Sequence, residues 1–119
     1  MKAELQRGDV VTVRFDPAEG SEIRKTRPAV VVSNNAACRF DAVVQVVPIT
    51  ALPDRELRPY EALVDSDTSG LAKPSRVVAN QIRTVAKRRI GRILGRISPA
   101  EVLALDWAVK IQLALGDSD

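Results

Sequence analysis

Two nearly continuous apolar runs lie close together in the first half of the chain, at residues 28–33 and 42–49. A strand with one face in water alternates apolar and polar side chains, so unbroken runs indicate strands that are buried on both faces. The connection at 34–41 is short, and a short connection is typical of an antiparallel pair. The two runs therefore predict a buried antiparallel hairpin.

The open end of this hairpin carries side chains suited to chemistry. Arg27 precedes Pro28 and is expected to enter the first strand, because the residue before a proline favours extended conformations. Thr50 ends the second strand. If the connection turns symmetrically between residues 38 and 39, Arg27 pairs with Thr50 and both side chains point into one cleft; a slip of one residue would turn one of them away. The chain contains no histidine, so proton transfer here would need other groups.

The rest of the chain is predicted to be mostly strand. β-branched and apolar residues favour further strands near residues 10–15, 60–65, 75–79, 81–86 and 90–97. A break at 16–21 precedes the hairpin, and the loop at 16–26 would carry Ser21 and Glu22 over its open end. The length of 119 residues predicts one domain, 1–119.

One helix follows the strands. Ser98 stands at a predicted N-cap, Pro99 at the first helical position and Glu101 three residues after the cap, which is the pattern of a capping box. Two apolar stripes follow at helical spacing, one of Val102, Leu105, Val109 and Leu113 and one of Leu103, Trp107 and Ile111. We expect the helix to pack on the sheet and to offer its second stripe to a partner. The order of elements predicts a mainly β fold, a small curled barrel or sandwich closed by a C-terminal helix.

Composition limits the function classes. The four aromatic residues are too few for repeated base stacking, and the single cysteine, Cys38, forms no internal disulfide. The sequence has neither a membrane-length apolar stretch nor a signal peptide, so we expect a soluble, cytoplasmic protein. The sequence has no histidine and no spaced cluster of cysteines or carboxylates, so we expect no metal site. No cofactor is predicted.

The charge is distributed unevenly along the chain. Residues 73–96 carry eight basic residues and no acidic one, whereas the segments on either side are acidic. An unbroken basic stretch fits a polyanion binder and fits a solvated surface equally well.

A set of short motifs is spread along the chain. The motifs are Arg7-Gly8-Asp9-Val10, Asp16-Pro17, Gly20-Ser21-Glu22, Arg27-Pro28-Ala29, Val32-Ser33-Asn34, Pro48-Ile49-Thr50, Gln81-Ile82-Arg83-Thr84, Lys87-Arg88-Arg89, Gly91-Arg92 and Ser98-Pro99-Ala100-Glu101. Each motif alone is weak, but their order and spacing together are specific. In this order the chain resembles the MazF/PemK-like toxins, the endoribonuclease components of bacterial toxin–antitoxin pairs.

The resemblance implies an SH3-like β-barrel with a C-terminal helix, a homodimer and metal-independent cleavage of single-stranded RNA. It places the family's catalytic arginine at Arg27, its threonine at Thr50 and the glutamate of its Gly-Ser-Glu loop at Glu22. The expected RNA contacts are Ser21, Asn34, Gln81, Arg83 and Lys87. A cognate antitoxin with an acidic C-terminal tail is the expected partner, and the basic stretch fits that tail as well as it fits RNA.

This chemistry is possible without histidine. A guanidinium stabilises charge on a phosphorane through two parallel donors, but its pKa above 12 makes it a poor acid. Arg27 is therefore expected to act first as a charge stabiliser, with Thr50 as a donor to phosphate. Glu22 is expected as the base or as a group that orients Arg27. Cleavage of this kind leaves a 2′,3′-cyclic phosphate and a 5′-hydroxyl.

Two other functions stay open at this point: a toxin of the same fold that binds DNA gyrase, and a non-catalytic SH3-like RNA-binding module. Residues 23–26 are bulkier and more cationic than in many relatives, which leaves the cleaved RNA sequence undetermined.

Overall fold

Seven antiparallel strands and a C-terminal helix make up the computed structural model, which describes residues 4–15, 20–21 and 25–116. A short helix and three single-turn 3-10 helices connect the strands. The strands are β1 (Asp9–Arg14), β2 (Thr26–Val31), β3 (Val43–Ala51), β4 (Glu61–Val64), β5 (Ser75–Val78), β6 (Arg83–Ala86) and β7 (Ile90–Arg96). The helices are α1 (Asn35–Phe40) and α2 (Pro99–Leu113).

The strands form one curved sheet in the order β4-β5-β3-β2-β1-β7, and β6 also pairs with β3. The nine-residue β3 changes partners along its length on one edge. Its first half pairs with β6 from Val43 to Val46, and its last part pairs with β5 from Ile49 to Ala51. The mainly β fold with a C-terminal helix is confirmed. The barrel stays open, because β4 and β7 form no ladder with each other among the described residues.

The central strands are buried on both faces, as their unbroken apolar runs predict. Val30 and Val47 belong to one buried cluster, on the side that α2 covers, where Leu105 also packs. Ala29 and Val31 belong to a second cluster on the opposite face. Period-two alternation thus divides one apolar run between two cores.

The register of the hairpin is the predicted one. Ala29 pairs with Pro48, and Val31 pairs with Val46. Continued by two residues, the same register sets Arg27 opposite Thr50, although the ladder between β2 and β3 ends at Ala29 and Pro48. Buried side chains on both strands fix this register, since a one-residue slip would exchange the two cores.

The predicted connection at 34–41 contains helix α1. The Asn34 side chain accepts a hydrogen bond from the Ala37 N–H at 2.9 Å and so caps the helix. Inside α1, Cys38 is buried against the second core cluster. Burial raises the pKa of its thiol above the ordinary value.

Helix α2 begins with the predicted capping box, in which Ser98 and Glu101 bond to each other's backbone N–H. Its inner stripe packs on the first core through Val102, Leu105 and Val109. Leu113 does not join that stripe, because the helix ends there and leaves its side chain 46% exposed. The second stripe faces outward, and its residues are Leu103, Trp107 and Ile111.

The Glu101 carboxylate also fastens α2 to the loop after β4. It accepts hydrogen bonds from the Asp65 N–H at 2.7 Å, the Ser66 N–H at 3.1 Å and the Ser66 hydroxyl. Burial opposes the charge on this carboxylate, but the bonds from Ser66, Ser98 and Asp65 outweigh it and lower the pKa of Glu101. One side chain thereby starts the helix and docks it on the sheet.

Candidate active site

Thr50 lies near the end of β3 with a strand on each side of it. On one edge is β2, whose register leads to Arg27, and on the other edge β5 pairs Arg76 directly with Thr50. The Thr50 side chain is half-buried, whereas Arg27 is exposed. The strands therefore define a row across the sheet, Arg27, Thr50 and Arg76.

Arg27 and Thr50 project to the same face. Residues two apart in a strand share a face, so Arg27 lies on the same face of β2 as Ala29 and Val31. Likewise, Thr50 lies on the same face of β3 as Pro48 and Val46. Ala29, Val31 and Val46 all belong to the second core cluster, so this face is shared. A guanidinium and a hydroxyl that share the end of one face can contact the same phosphate.

The described residues between β1 and β2 lie at this end of the sheet. The Phe15 N–H donates to the Lys25 carbonyl at 2.9 Å. The Ser21 carbonyl accepts from the Gln81 side chain at 3.4 Å. Gln81 lies between β5 and β6, on the far side of β3 from β2, so this contact places Ser21 across β3 from β2. Glu22, predicted as the base or as the group that orients Arg27, lies outside the described residues.

Arg83 is held at the inner side of the same region. Its guanidinium stacks over the Phe15 ring at 5.6 Å and donates to the Phe15 carbonyl at 3.0 Å. The side chain is half-buried and pairs across strands with Val46. Arg83 therefore has a structural role, in which it joins the end of β1 to β6.

Asn34 and Lys87 lie away from the row. The Lys87 N–H bonds to the Ala42 carbonyl, beside the first residue of β3, whereas Thr50 is at the other end of that strand. At about 3.3 Å per residue the two ends are roughly 25 Å apart. Asn34 follows the end of β2 that lies on the Lys87 side. Of the five predicted RNA contacts, two lie near Thr50 (Ser21 and Gln81) and two at the far end of β3 (Asn34 and Lys87), whereas Arg83 lies between them, opposite Val46.

The basic stretch at 73–96 does not form one continuous charged surface. Its strands occupy separate places in the sheet, and several of its arginines donate to acceptors of the protein itself. Arg76 bonds to Glu61, Arg89 to the Arg14 carbonyl, and Arg96 to Asp9. Part of the stretch therefore makes contacts that stabilise the fold.

A buried carboxylate next to the row was not singled out in the sequence. The Glu61 side chain is 1% exposed and accepts hydrogen bonds from both Arg55 and Arg76. The bonds from Arg55, which outweigh burial, lower the pKa of Glu61 to about 2. The sequence gives one signal for the pair of Glu61 and Arg76. Glu61 is a charged residue at the start of a predicted strand, and Arg76 lies in the next predicted strand.

Among the described residues, no group of three or more histidines, cysteines or carboxylates lies close enough together to hold a metal ion. The same ranges contain no helix that is long and apolar enough to cross a membrane.

Comparison with known proteins identifies the family. Residues 6–113 match the PemK-like, MazF-like toxins of type II toxin–antitoxin systems. The chain is 40% identical to endoribonuclease MazF9 of Mycobacterium tuberculosis over 93% of its own length and 98% of the relative. It is 30% identical to endoribonuclease MazF of Staphylococcus epidermidis over 97% of its length and 96% of the relative.

Solved structures agree with this result. A mycobacterial endoribonuclease in complex with its cognate antitoxin superposes with a TM-score of 0.78 at 26% identity, over 96% of this chain and 99% of the other. The fold and the relatives define a toxin of the endoribonuclease class. The chain belongs to the PemK-like, MazF-like family of type II toxin–antitoxin systems.

Proposed function

We propose that this protein cleaves single-stranded RNA by internal transesterification, with the reacting phosphate bound between Arg27 and Thr50. The observation that carries the proposal is the register of β2 and β3, in which Ala29 pairs with Pro48. This register brings a guanidinium and a hydroxyl to the same end of one face. The endoribonucleases among the relatives favour catalysis over gyrase binding or RNA binding alone.

In the proposed step the 2′-oxygen attacks the adjacent phosphorus and the bond from phosphorus to the 5′-oxygen breaks. A base takes the 2′-hydroxyl proton, and the departing 5′-oxygen takes a proton from solvent water. The products are a 2′,3′-cyclic phosphate and a 5′-hydroxyl. Arg27 stabilises the negative charge of the phosphorane through two parallel N–H donors, and Thr50 donates a hydrogen bond to a phosphate oxygen. No step requires a metal ion.

Glu22 is proposed as the base or as the group that orients Arg27. The support is its position in the sequence, directly after Ser21, whose carbonyl contacts Gln81 across β3. We propose that Ser21 and Gln81 contact the nucleotides beside the scissile bond, with Arg83 next to them. Asn34 and Lys87 lie at the other end of β3, so they would contact nucleotides further along the RNA.

We further propose that the active toxin is a homodimer that a cognate antitoxin with an acidic tail neutralises. A mycobacterial relative is known in complex with its cognate antitoxin. The outer stripe of α2 is exposed and apolar, with Trp107 65% exposed, which supports a protein contact there. Light scattering of the purified protein should give twice the chain mass of 12.9 kDa.

The chemistry is tested with two matched oligonucleotides in excess EDTA. A long transcript first locates a cleaved bond, and an oligonucleotide that spans this bond is then made as RNA and with one 2′-deoxy nucleotide on the 5′ side of the bond. We expect cleavage of the RNA, with cyclic phosphate and 5′-hydroxyl ends, and no cleavage of the deoxy version. Cleavage of both, or activity only with an added divalent cation, would contradict the mechanism.

A further inference from the structure

Arg76 is a second cation in the row that contains Thr50. It pairs with Thr50 across β5 and β3, opposite to the edge on which Arg27 lies. Directly paired residues project to the same face, with Cβ atoms about 4.5–5.5 Å apart. A phosphate bound at Thr50 would therefore lie between two strands that each carry an arginine.

The protein holds the Arg76 guanidinium in one orientation. Its Nε donates to the Ala51 carbonyl at 3.0 Å, and its Nη1 donates to the Glu61 carboxylate. Its other terminal nitrogen, Nη2, has no acceptor among the described residues, and the side chain is 19% exposed. An ordered guanidinium with an open donor binds an anion without the entropy cost of first becoming ordered.

The surrounding charges leave this group positive. Glu61 accepts from Arg55 at 2.8 and 3.2 Å and from the Arg58 N–H at 2.7 Å, as well as from Arg76. One carboxylate is thus shared between two guanidiniums, and the three side chains together carry a net positive charge.

We propose that Arg76 binds a phosphate of the RNA next to the scissile one, an inference that rests on the proposed function. Every nucleotide adds a phosphate, so an RNA that runs along the row presents a second phosphate to Arg76 when the first lies at Arg27 and Thr50. Arg76 contributes to binding rather than to bond breaking. Glu61 and the Ala51 carbonyl fix the direction of its guanidinium.

The test compares Arg76→Gln and Arg76→Lys with the wild type on the cleavable oligonucleotide. For Arg76→Gln we expect a KM about tenfold higher than that of the wild type and a kcat within about threefold of it. The salt dependence of RNA binding should also become weaker, by the amount expected for the loss of about one phosphate contact. This salt dependence is measured with the uncleaved 2′-deoxy oligonucleotide as the probe. Arg76→Lys keeps the charge, so the salt dependence should stay while KM rises less.

Arg96→Gln is the matched control. Like Arg76, Arg96 lies in a strand and forms an ion pair with a buried carboxylate, that of Asp9, at 2.8 Å. Its strand, β7, is the last in the sheet and lies outside the row, which crosses β2, β3 and β5. We expect its KM and salt dependence to equal those of the wild type. An unchanged KM and salt dependence in Arg76→Gln, with lower stability alone, would overturn the inference and leave the proposed function intact. A folded wild type that cleaves no RNA would overturn both.

Discussion

Ala29 lies opposite Pro48 in the antiparallel pair of β2 and β3, and this single pairing sets the candidate active site. Extended by two residues beyond the last paired positions, this register places Arg27 and Thr50 at the same end of the same face. The row is completed on the other edge of β3, where Arg76 pairs with Thr50.

Removal of the Thr50 hydroxyl should slow RNA cleavage. Thr50→Val keeps the β-branched shape and loses the donor to phosphate, so we expect a cleavage rate about a hundredfold lower under single-turnover conditions. Thr50→Ser keeps the hydroxyl and should retain most of the rate. Equal rates for Thr50→Val and the wild type would show that the hydroxyl does not contact the reacting phosphate.

Glu61→Gln should destabilise the fold in a pH-dependent way. The pKa of Glu61 falls from 4.5 to about 2 on folding, so its charged form stabilises the folded state. That contribution is fully present above about pH 4.5 and disappears as the pH falls towards 2. Urea unfolding at pH 7 should give a loss of roughly 3 kcal/mol relative to the wild type, and the difference should shrink below pH 4.5.

Glu56→Gln is the control for this series, since it removes the same charge from an exposed position in the preceding loop. We expect its free energy of unfolding to stay within about 0.5 kcal/mol of the wild type. A loss for Glu61→Gln that is constant between pH 3 and pH 7 would contradict the assigned origin of the stabilisation.

Two glycine substitutions in and after α2 should change the free energy of unfolding in opposite directions. Ala114 has φ 55° and ψ 45°, a left-handed conformation that costs a side chain energy and costs glycine little. Ala114→Gly should therefore raise the free energy of unfolding by about 0.5–1 kcal/mol. Ala104→Gly, at an exposed position in the middle of the same helix, should lower it by about 1 kcal/mol. Thermal unfolding of both variants measures the difference, and the same sign for both would be evidence against the left-handed cap.

The strands and the register could be predicted from the sequence, because both depend on local patterns. The unbroken apolar runs indicated burial on two faces, and Ser98 and Glu101 indicated the start of α2. Helix α1 could not be predicted in the same way. Its six residues are too few to show helical periodicity, and its cap, Asn34, equally suits a turn.

The distribution of the basic residues required the three-dimensional structure. The basic residues of the stretch at 73–96 are divided among β5, β6, β7 and the segments that flank these strands, so closeness in sequence did not predict a shared surface. Lys87 is close to Gln81 and Arg83 in the sequence, yet it lies at the opposite end of β3 from Thr50. The pairing of Arg76 with Thr50 depends on the place of β5 in the sheet, which no local pattern specifies.

The most direct test of the account is the cleavage rate of Arg27→Ala in excess EDTA, compared with Arg14→Ala. Arg14 is the adjacent control, because Val13 pairs with Arg27 and alternation sends the Arg14 side chain to the opposite face. We predict that Arg27→Ala cleaves the oligonucleotide about a thousandfold more slowly than the wild type, while Arg14→Ala keeps the wild-type rate. Undiminished cleavage by a folded Arg27→Ala variant would contradict the assignment of Arg27 to the reacting phosphate.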